Sequence, residues 1–325
     1  MKKRLLITGA NGFVGSHLVE ASLDNGFEVY AAVRKNSDLT YLKQDSVTLV
    51  YPDYSSPARL TALLDTHGIT HIAHVAGMTK GKSLEDYNQA NATITVVLAQ
   101  AALAARRPIE KFVFVSSLAV MGPAQPGKPL SEGLTPQPLT FYGKSKWLAE
   151  QYLQKYPQLP LVTLRPTAVY GPRERDMLMV IKMVRKGWEL YLGRTPQQLS
   201  FIYVTDLCQA ILAALDSPQS GQTYLLSDGG DYGRYEFARL SKQVLHKKTI
   251  RLHLPVPIVA GVLGIIEKIR PGKLSIINKD KLQELTGSWS CNIDKAKKEL
   301  GFTPRFPLEK GIGATIRWNI AEKWR

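Results

Sequence analysis

The 325-residue chain has only two cysteines, Cys208 and Cys291. Two thiols make neither a disulfide framework nor a four-thiolate metal site, so no metal is expected and a reducing cytoplasm is the natural compartment. Long apolar runs are missing too. The longest, Val256 to Ile266, has eleven residues, against the roughly 20 of a membrane-spanning helix. No transmembrane segment is expected. That run reads as the buried core of a lobe, with cleft closure, a dimer contact or peripheral membrane contact as alternatives. The start, Met1 to Gly9, places only three apolar residues before Thr8, short of the about 7 to 15 in a signal peptide, and predicts that the mature protein begins here. Internal repeats and low-complexity tracts are lacking, and a 44% apolar composition excludes a disordered chain.

Acid is scarce: 42 Lys and Arg face 27 Asp and Glu, a net charge of +15. From Lys242 to Arg325 there are 17 basic and 7 acidic residues, so most of the excess lies in the last quarter. Such a balance invites anionic partners, whether nucleic acid, anionic lipid or a phosphorylated small molecule. The charges are interleaved with apolar residues, as in Asp294-Lys-Ala-Lys-Lys-Glu-Leu300. That pattern reads as a solvated helix face, and no nucleic-acid partner is expected.

Short β-branched runs recur at Arg4 to Thr8, Glu28 to Val33, Val47 to Tyr51, His71 to Ala76, Lys111 to Ser116 and Leu161 to Leu164. Between them, apolar residues fall at helical spacing over Phe13 to Leu23, Pro57 to Leu64, Tyr87 to Ala105 and Tyr142 to Tyr156. Alternating strands and helices predict the α/β class: a Rossmann-type doubly wound parallel sheet with a smaller, mainly helical C-terminal substrate lobe. A helix at Val204 to Leu215 and a strand at Thr223 to Leu226 predict that the sheet is rejoined late. Residues 1–170 plus 199–228 would form the dinucleotide-binding domain, and 171–198 plus 229–325 the substrate lobe. After Asp228-Gly-Gly230, helices punctuated by proline are expected to replace strands.

Thr8-Gly-Ala-Asn-Gly-Phe-Val-Gly15 sits between the first strand and the first helix. Gly9 permits the tight turn, Gly12 lets backbone approach a pyrophosphate, and Gly15 lets the helix pack on the strand. With Asn11, Phe13 and Val14, these residues offer a dinucleotide the N–H groups of a helix N-terminus. The second strand ends in Val33-Arg34-Lys-Asn36, with no acid until Asp38. A guanidinium there binds the 2′-phosphate that a carboxylate would repel, which favours NADP over NAD, with NAD still admissible. Asp53, after the third strand, could accept from the adenine amino group or simply form its own turn.

Tyr142 and Lys146 are four residues apart, one helical turn, on one face. A nearby ammonium stabilises a phenolate, so Lys146 is expected to lower the Tyr142 pKa and make the phenol a general acid or base. His71 and His74 point to opposite faces of a strand and are not expected to share a metal.

With Thr8 to Gly15, His74-Val-Ala-Gly77, Asn91-Ala-Thr-Ile-Thr95, Ser116-Ser117 through Gly122, Tyr142 to Lys146, Arg165-Pro166 through Pro172 and the Asp294 to Gly301 ending, the chain resembles the extended short-chain dehydrogenase/reductases, the NAD(P)-dependent epimerase/dehydratase-like family. Dihydroflavonol reductase and 3β-hydroxysteroid dehydrogenase-like members are nearest in character. The resemblance implies that Ser117 binds the substrate oxygen, Lys146 also holds the nicotinamide ribose, and Asn91 sits in the proton relay. It places Ala76, Pro166 and Thr167 against the dinucleotide. Hydride would pass between nicotinamide and a carbonyl while Tyr142 moves the proton.

Departures from the family narrow the substrate. Ser117-Leu-Ala119 stands where the 4,6-dehydratases resemble Thr-Asp-Glu, which disfavours water elimination. Leu199-Ser200 stands where nucleotide-sugar epimerases have a diphosphate-binding arginine, although Arg173, Arg194 or Arg270 could substitute. Met78, Lys80, Met121, Arg173 and Met177 are the candidate substrate-facing residues, the methionines giving a deformable lining for a hydrophobic carbonyl. Met179 and Met183 would face the same cleft. The leading expectation is an NADP-dependent carbonyl reductase or alcohol dehydrogenase using Ser117, Tyr142 and Lys146. A nucleotide-sugar 4-epimerase and a non-catalytic dinucleotide sensor are the alternatives. A homodimer through the Tyr87 to Ala105 and Leu139 to Tyr156 helices would fit the superfamily.

Overall fold

A computed structural model describes residues 2–42, 44–261 and 279–324. The first half alternates strand and helix: β1 (Arg4–Thr8), α1 (Phe13–Asp24), β2 (Glu28–Ala32), β3 (Thr48–Val50), α2 (Pro57–His67), β4 (His71–His74), α3 (Leu84–Asn88), α4 (Ile94–Ala104), β5 (Lys111–Val115), α5 (Phe141–Leu153) and β6 (Leu161–Pro166). Caps set several boundaries. The Ser56 hydroxyl accepts from the Arg59 N–H with Pro57 in the first turn of α2, and the Thr140 hydroxyl accepts from the Gly143 N–H to open α5.

The chain continues through β7 (Ala168–Tyr170), α6 (Asp176–Arg185), β8 (Trp188–Leu192), β9 (Gln198–Leu199), β10 (Phe201–Tyr203), α7 (Val204–Asp216) and β11 (Gln222–Leu226). It then forms β12 (Tyr232–Gly233), α8 (Glu236–Leu245), β13 (Ile250–Leu254), α9 (Lys279–Thr286), α10 (Asp294–Leu300) and α11 (Leu308–Ala321).

Seven parallel strands form the main sheet in the order β11-β6-β5-β4-β1-β2-β3. β4 and β5 are buried along their whole length, which is why they read as continuous apolar runs. Leu5 and Ile7 point into the layer that includes α1 and α7, and Leu6 into the layer of α2, α4 and α5. The sheet is therefore covered on both faces. Its order reverses between β1 and β4, and ligands in such sheets bind in the crevice beyond the carboxyl ends of the strands flanking that point.

The late return to the sheet is made by β11 beside β6, as expected. β10 instead pairs with β7 in a small separate sheet, and Tyr170, Phe201, Phe237, Leu308 and Ile312 centre a third core there. The expectation that helices replace strands after Gly230 fails at Ile250–Leu254, which pairs in parallel with Trp188–Leu192. Both segments alternate side chains of different polarity, a strand period that proline punctuation obscured. Of the apolar run Val256 to Ile266, residues 256–261 are helical and mostly exposed rather than buried, with Ile258 at 63% exposure. The rest of the run and Arg270 lie outside the described residues. No described helix is long and apolar enough to cross a membrane.

Candidate active site

The crevice beyond β1 and β4 is built by close backbone approach. Gly9 has φ 66°, and a Cβ on Gly15 would sit 2.0 Å from the Gly9 carbonyl oxygen. Any side chain at Gly15 drives α1 away from β1. Gly12 offers no side chain to cap α1, so the first-turn N–H groups of Phe13, Val14 and Gly15 open into the crevice. The Asn11 amide is anchored to the Asp38 carbonyl at 3.3 Å. Across the crevice the Ala76 N–H donates to the Thr8 hydroxyl (3.1 Å), which holds the end of β4 against the loop. These features form a cradle that backbone and a dinucleotide pyrophosphate fit and a Cβ would fill.

Arg34 is exposed at the end of β2, and its guanidinium makes no ion pair among the described residues. Asp53 is taken up by its own turn. One carboxylate oxygen accepts from the Ser55 N–H and hydroxyl and the other from Arg59, which together hold the acid at about 2. Pro166 and Thr167 are buried at the end of β6, where the Thr167 hydroxyl donates to the Ser200 carbonyl.

Ser117, Tyr142 and Lys146 converge beyond β5. Ser117 begins the turn after that strand, its hydroxyl accepting from the Ala119 N–H while also lying in hydrogen-bond reach of the Tyr142 phenol. Burial pushes Tyr142 up to about 12, with Ser117 acting in the opposite direction. The expected lowering by Lys146 is not among the effects on this phenol. Lys146 is 2% exposed, donates to the Val115 carbonyl at 2.9 Å and lies 4.9 Å from the Phe114 ring centroid. Burial lowers its amine to about 8, and the Glu150 carboxylate opposes the fall. Near neutral pH the geometry thus holds the phenol as an acid with a proton to donate.

The Lys146 shift carries a stability consequence. The folded chain binds this proton more weakly than the unfolded chain, whose amine titrates at its ordinary value of 10.5. Stability therefore rises with pH between about 8 and that value, and below it the buried cation is a standing cost. Lys146→Met is expected to melt no lower than the parent at pH 7 in a thermal scan. A clearly lower Tm would mean that the Val115 hydrogen bond and the Phe114 contact outweigh burial of the charge.

Asn91 is fully buried in a π-helical turn, Gln89–Thr93, that interrupts the expected continuous helix before α4. Its side chain accepts from the Met78 N–H (2.7 Å) and donates to the Met78 carbonyl (3.0 Å) and the Ser145 hydroxyl (2.9 Å). It fastens the loop after β4 to α5. Single π turns recur at functional sites.

Of the candidate substrate residues, Met78 is tied to this group through that Asn91 brace. Met121 is sheet core, 3% exposed, its sulfur accepting from Arg165. Met177 packs against the third core and Met179 points to solvent, so the methionines do not share one cleft. Lys80 pairs with Asp176 on the surface (2.7 Å). Arg173, at φ 72°, reaches away to Ser16 and Glu20 and covers the Tyr41 ring.

Three residues at the site escaped the sequence reading. Glu150 and Arg165 form a buried ion pair with Nη2–Oε2 at 2.5 Å, and Glu150 also accepts from Ser116, the neighbour of Ser117. Glu150 follows Lys146 by one turn, a spacing that could have flagged it. Glu284 on α9 acts electrostatically on Tyr142. Its helix is brought over the site because residues 288–291 bridge to Ala124 and Leu130.

A family model, the NAD dependent epimerase/dehydratase family, matches residues 5–227. The chain belongs to that family. Among curated proteins the chain is similar to a UDP-glucose 4-epimerase of Vibrio cholerae, 31% identical over 98% of this chain and 95% of its own. A ceramide reductase of Caulobacter vibrioides is 28% identical over 98% of this chain and 95% of its own. The crystal structure of a Thermus thermophilus UDP-glucose 4-epimerase in complex with NAD superposes with TM-score 0.78 at 25% identity, covering 97% of this chain and 98% of that one. The family places the chain among the extended short-chain dehydrogenase/reductases, Rossmann-type enzymes that use a nicotinamide dinucleotide.

Proposed function

We infer that the protein is an NADP-dependent oxidoreductase acting between a hydrophobic carbonyl and its secondary alcohol. One observation carries the choice over epimerisation: among the described residues, Leu199-Ser200 rather than an arginine stands where the epimerases hold a nucleotide diphosphate. Leu199 bridges to Trp289 there, and the Ser200 hydroxyl donates to the Gly230 carbonyl. Of the substitutes, Arg173 is spent on Glu20 and Ser16. Arg194 is exposed beyond the end of β8. The ceramide reductase relative supports the same reading.

A bound nicotinamide supplies or accepts the hydride. Gly9 to Gly15 hold the pyrophosphate, Arg34 the 2′-phosphate, and Ala76, Pro166 and Thr167 flank the ring. Ser117 donates to the substrate oxygen and orients it toward Tyr142. The phenol, protonated at neutral pH, delivers its proton as the carbonyl is reduced. Lys146 holds the ribose, and Asn91 keeps the loop after β4 in register with α5. The domains expected from the sequence, 1–170 plus 199–228 and 171–198 plus 229–325, then become a cofactor domain and a substrate lobe.

The second reading is a nucleotide-sugar 4-epimerase, favoured by the Vibrio cholerae relative. Incubation with NADPH and a panel of hydrophobic ketones, beside nucleotide sugars, separates the two: loss of NADPH absorbance supports the first, sugar inversion without it the second. A homodimer through α4 and α5 is part of the proposal. A depression lined by Thr93, Val96, Val97, Tyr152, Lys155 and Tyr156 lies on that face.

Arg34 decides the dinucleotide. Charge-assisted hydrogen bonds are worth about 1.5–3 kcal/mol, so Arg34→Ala is expected to raise KM for NADPH about ten- to a hundredfold and leave NADH nearly unchanged. Equal effects on both cofactors would show that Arg34 is ordinary surface.

A further inference from the structure

β8 and β13 pair with Trp188 beside Ile250, Leu190 beside Leu252 and Leu192 beside Leu254. Side chains alternate along a strand, so these six share one face of the ribbon. Trp188 is 44% exposed, Leu190 46%, Ile250 58%, Leu252 40% and Leu254 41%. Exposed Ile258 follows in the helical residues 256–261. The other face is spent inside the protein. Buried Glu189 takes Lys242 and Arg251, and Tyr191 packs on Tyr235 and His253. The ribbon is amphipathic with its apolar side outward, and contiguous patches of that kind mark interaction surfaces.

The charges around it are of one sign. Lys186 precedes β8, Arg194 follows it, and Lys247 and Lys248 precede β13; all four are exposed and none forms an ion pair among the described residues. Across residues 186–196 and 246–258 the one acid is Glu189, on the opposite face.

We propose that this face docks on an anionic lipid surface. Trp188 and the aliphatic side chains enter the headgroup boundary, where indoles concentrate, and the four cations lie against lipid phosphates. The same rim disfavours a second copy of the chain as the occupant, because a two-fold contact would oppose like charges. Docking stands on the ribbon alone. That it brings a membrane-borne carbonyl to Tyr142 rests on the reductase reading.

The test is cosedimentation of the full chain with vesicles of phosphatidylcholine, alone and mixed with phosphatidylglycerol. The expected result is partition onto the mixed vesicles that weakens with salt. Leu190→Glu/Leu252→Glu and Lys247→Ala/Lys248→Ala should each lose at least about tenfold in partition. Both variants should keep the parental melting curve and the parental NADPH-dependent turnover of a water-soluble carbonyl. If no carbonyl is turned over, the reductase reading fails while the vesicle result still decides docking. No partition onto mixed vesicles, or equal partition of parent and variants, overturns the proposal. So does a leucine variant that changes from dimer to monomer when neither form binds vesicles, which makes the face a contact between copies.

Discussion

Tyr142→Phe is expected to lower kcat for carbonyl reduction by about 10²- to 10⁴-fold, the range that one positioned acid or base contributes. The fold should be untouched, since the hydroxyl's one identified partner is Ser117 and the ring stays in place. Dinucleotide affinity should change little, because the pyrophosphate and 2′-phosphate contacts lie in Gly9 to Gly15 and at Arg34. Rates following hydride transfer, with NADPH binding measured separately by fluorescence, check both halves. A variant that keeps parental kcat removes Tyr142 from the chemistry. One that loses NADPH binding as well makes the tyrosine a packing residue.

The largest stability effect is expected at Glu150. Glu150→Ala strands the Arg165 guanidinium, whose side chain is 6% exposed, with only the Met121 sulfur and the Trp147 ring as its remaining described contacts, and leaves Ser116 without its acceptor. Breaking a buried pair from one side costs about 3–5 kcal/mol, because the surviving charge stays desolvated. Urea denaturation of the full chain should report a loss of that size. A loss below about 1 kcal/mol would mean that water reaches Arg165 once the carboxylate is gone. The milder Glu150→Gln keeps the volume and removes the charge that supports the Lys146 cation. It should move the alkaline fall in reductase activity to lower pH.

Much of this was readable along the chain, for a physical reason. The phosphate loop is local: Gly9, Gly12 and Gly15 do their work within one turn, and the strand before and helix after them are visible in the pattern. Tyr142 and Lys146 share a helical face, so their spacing alone places them together. Pairs made by tertiary packing were not readable. Nothing near Arg165 announces that its partner is Glu150, and the methionines share a chemistry that their neighbours, not their type, assign to core, brace or solvent. The Tyr142 pKa failed for the same reason. Spacing puts Lys146 nearby, but burial raises the phenol and the Val115 carbonyl engages the amine. The β8–β13 ribbon was missed because proline punctuation obscured its strand period, and its apolar face points outward, which breaks the rule by which core is recognised.

The most direct measurement follows the hydride itself. NADPH deuterated at nicotinamide C4 is incubated with the protein and a hydrophobic ketone, and the product alcohol is examined by mass spectrometry. Net transfer predicts deuterium on the carbinol carbon with one NADPH oxidised per alcohol formed, and loss of both signals in Tyr142→Phe. Inversion of a nucleotide sugar with no net oxidation of the dinucleotide, and no label in any alcohol, would contradict it.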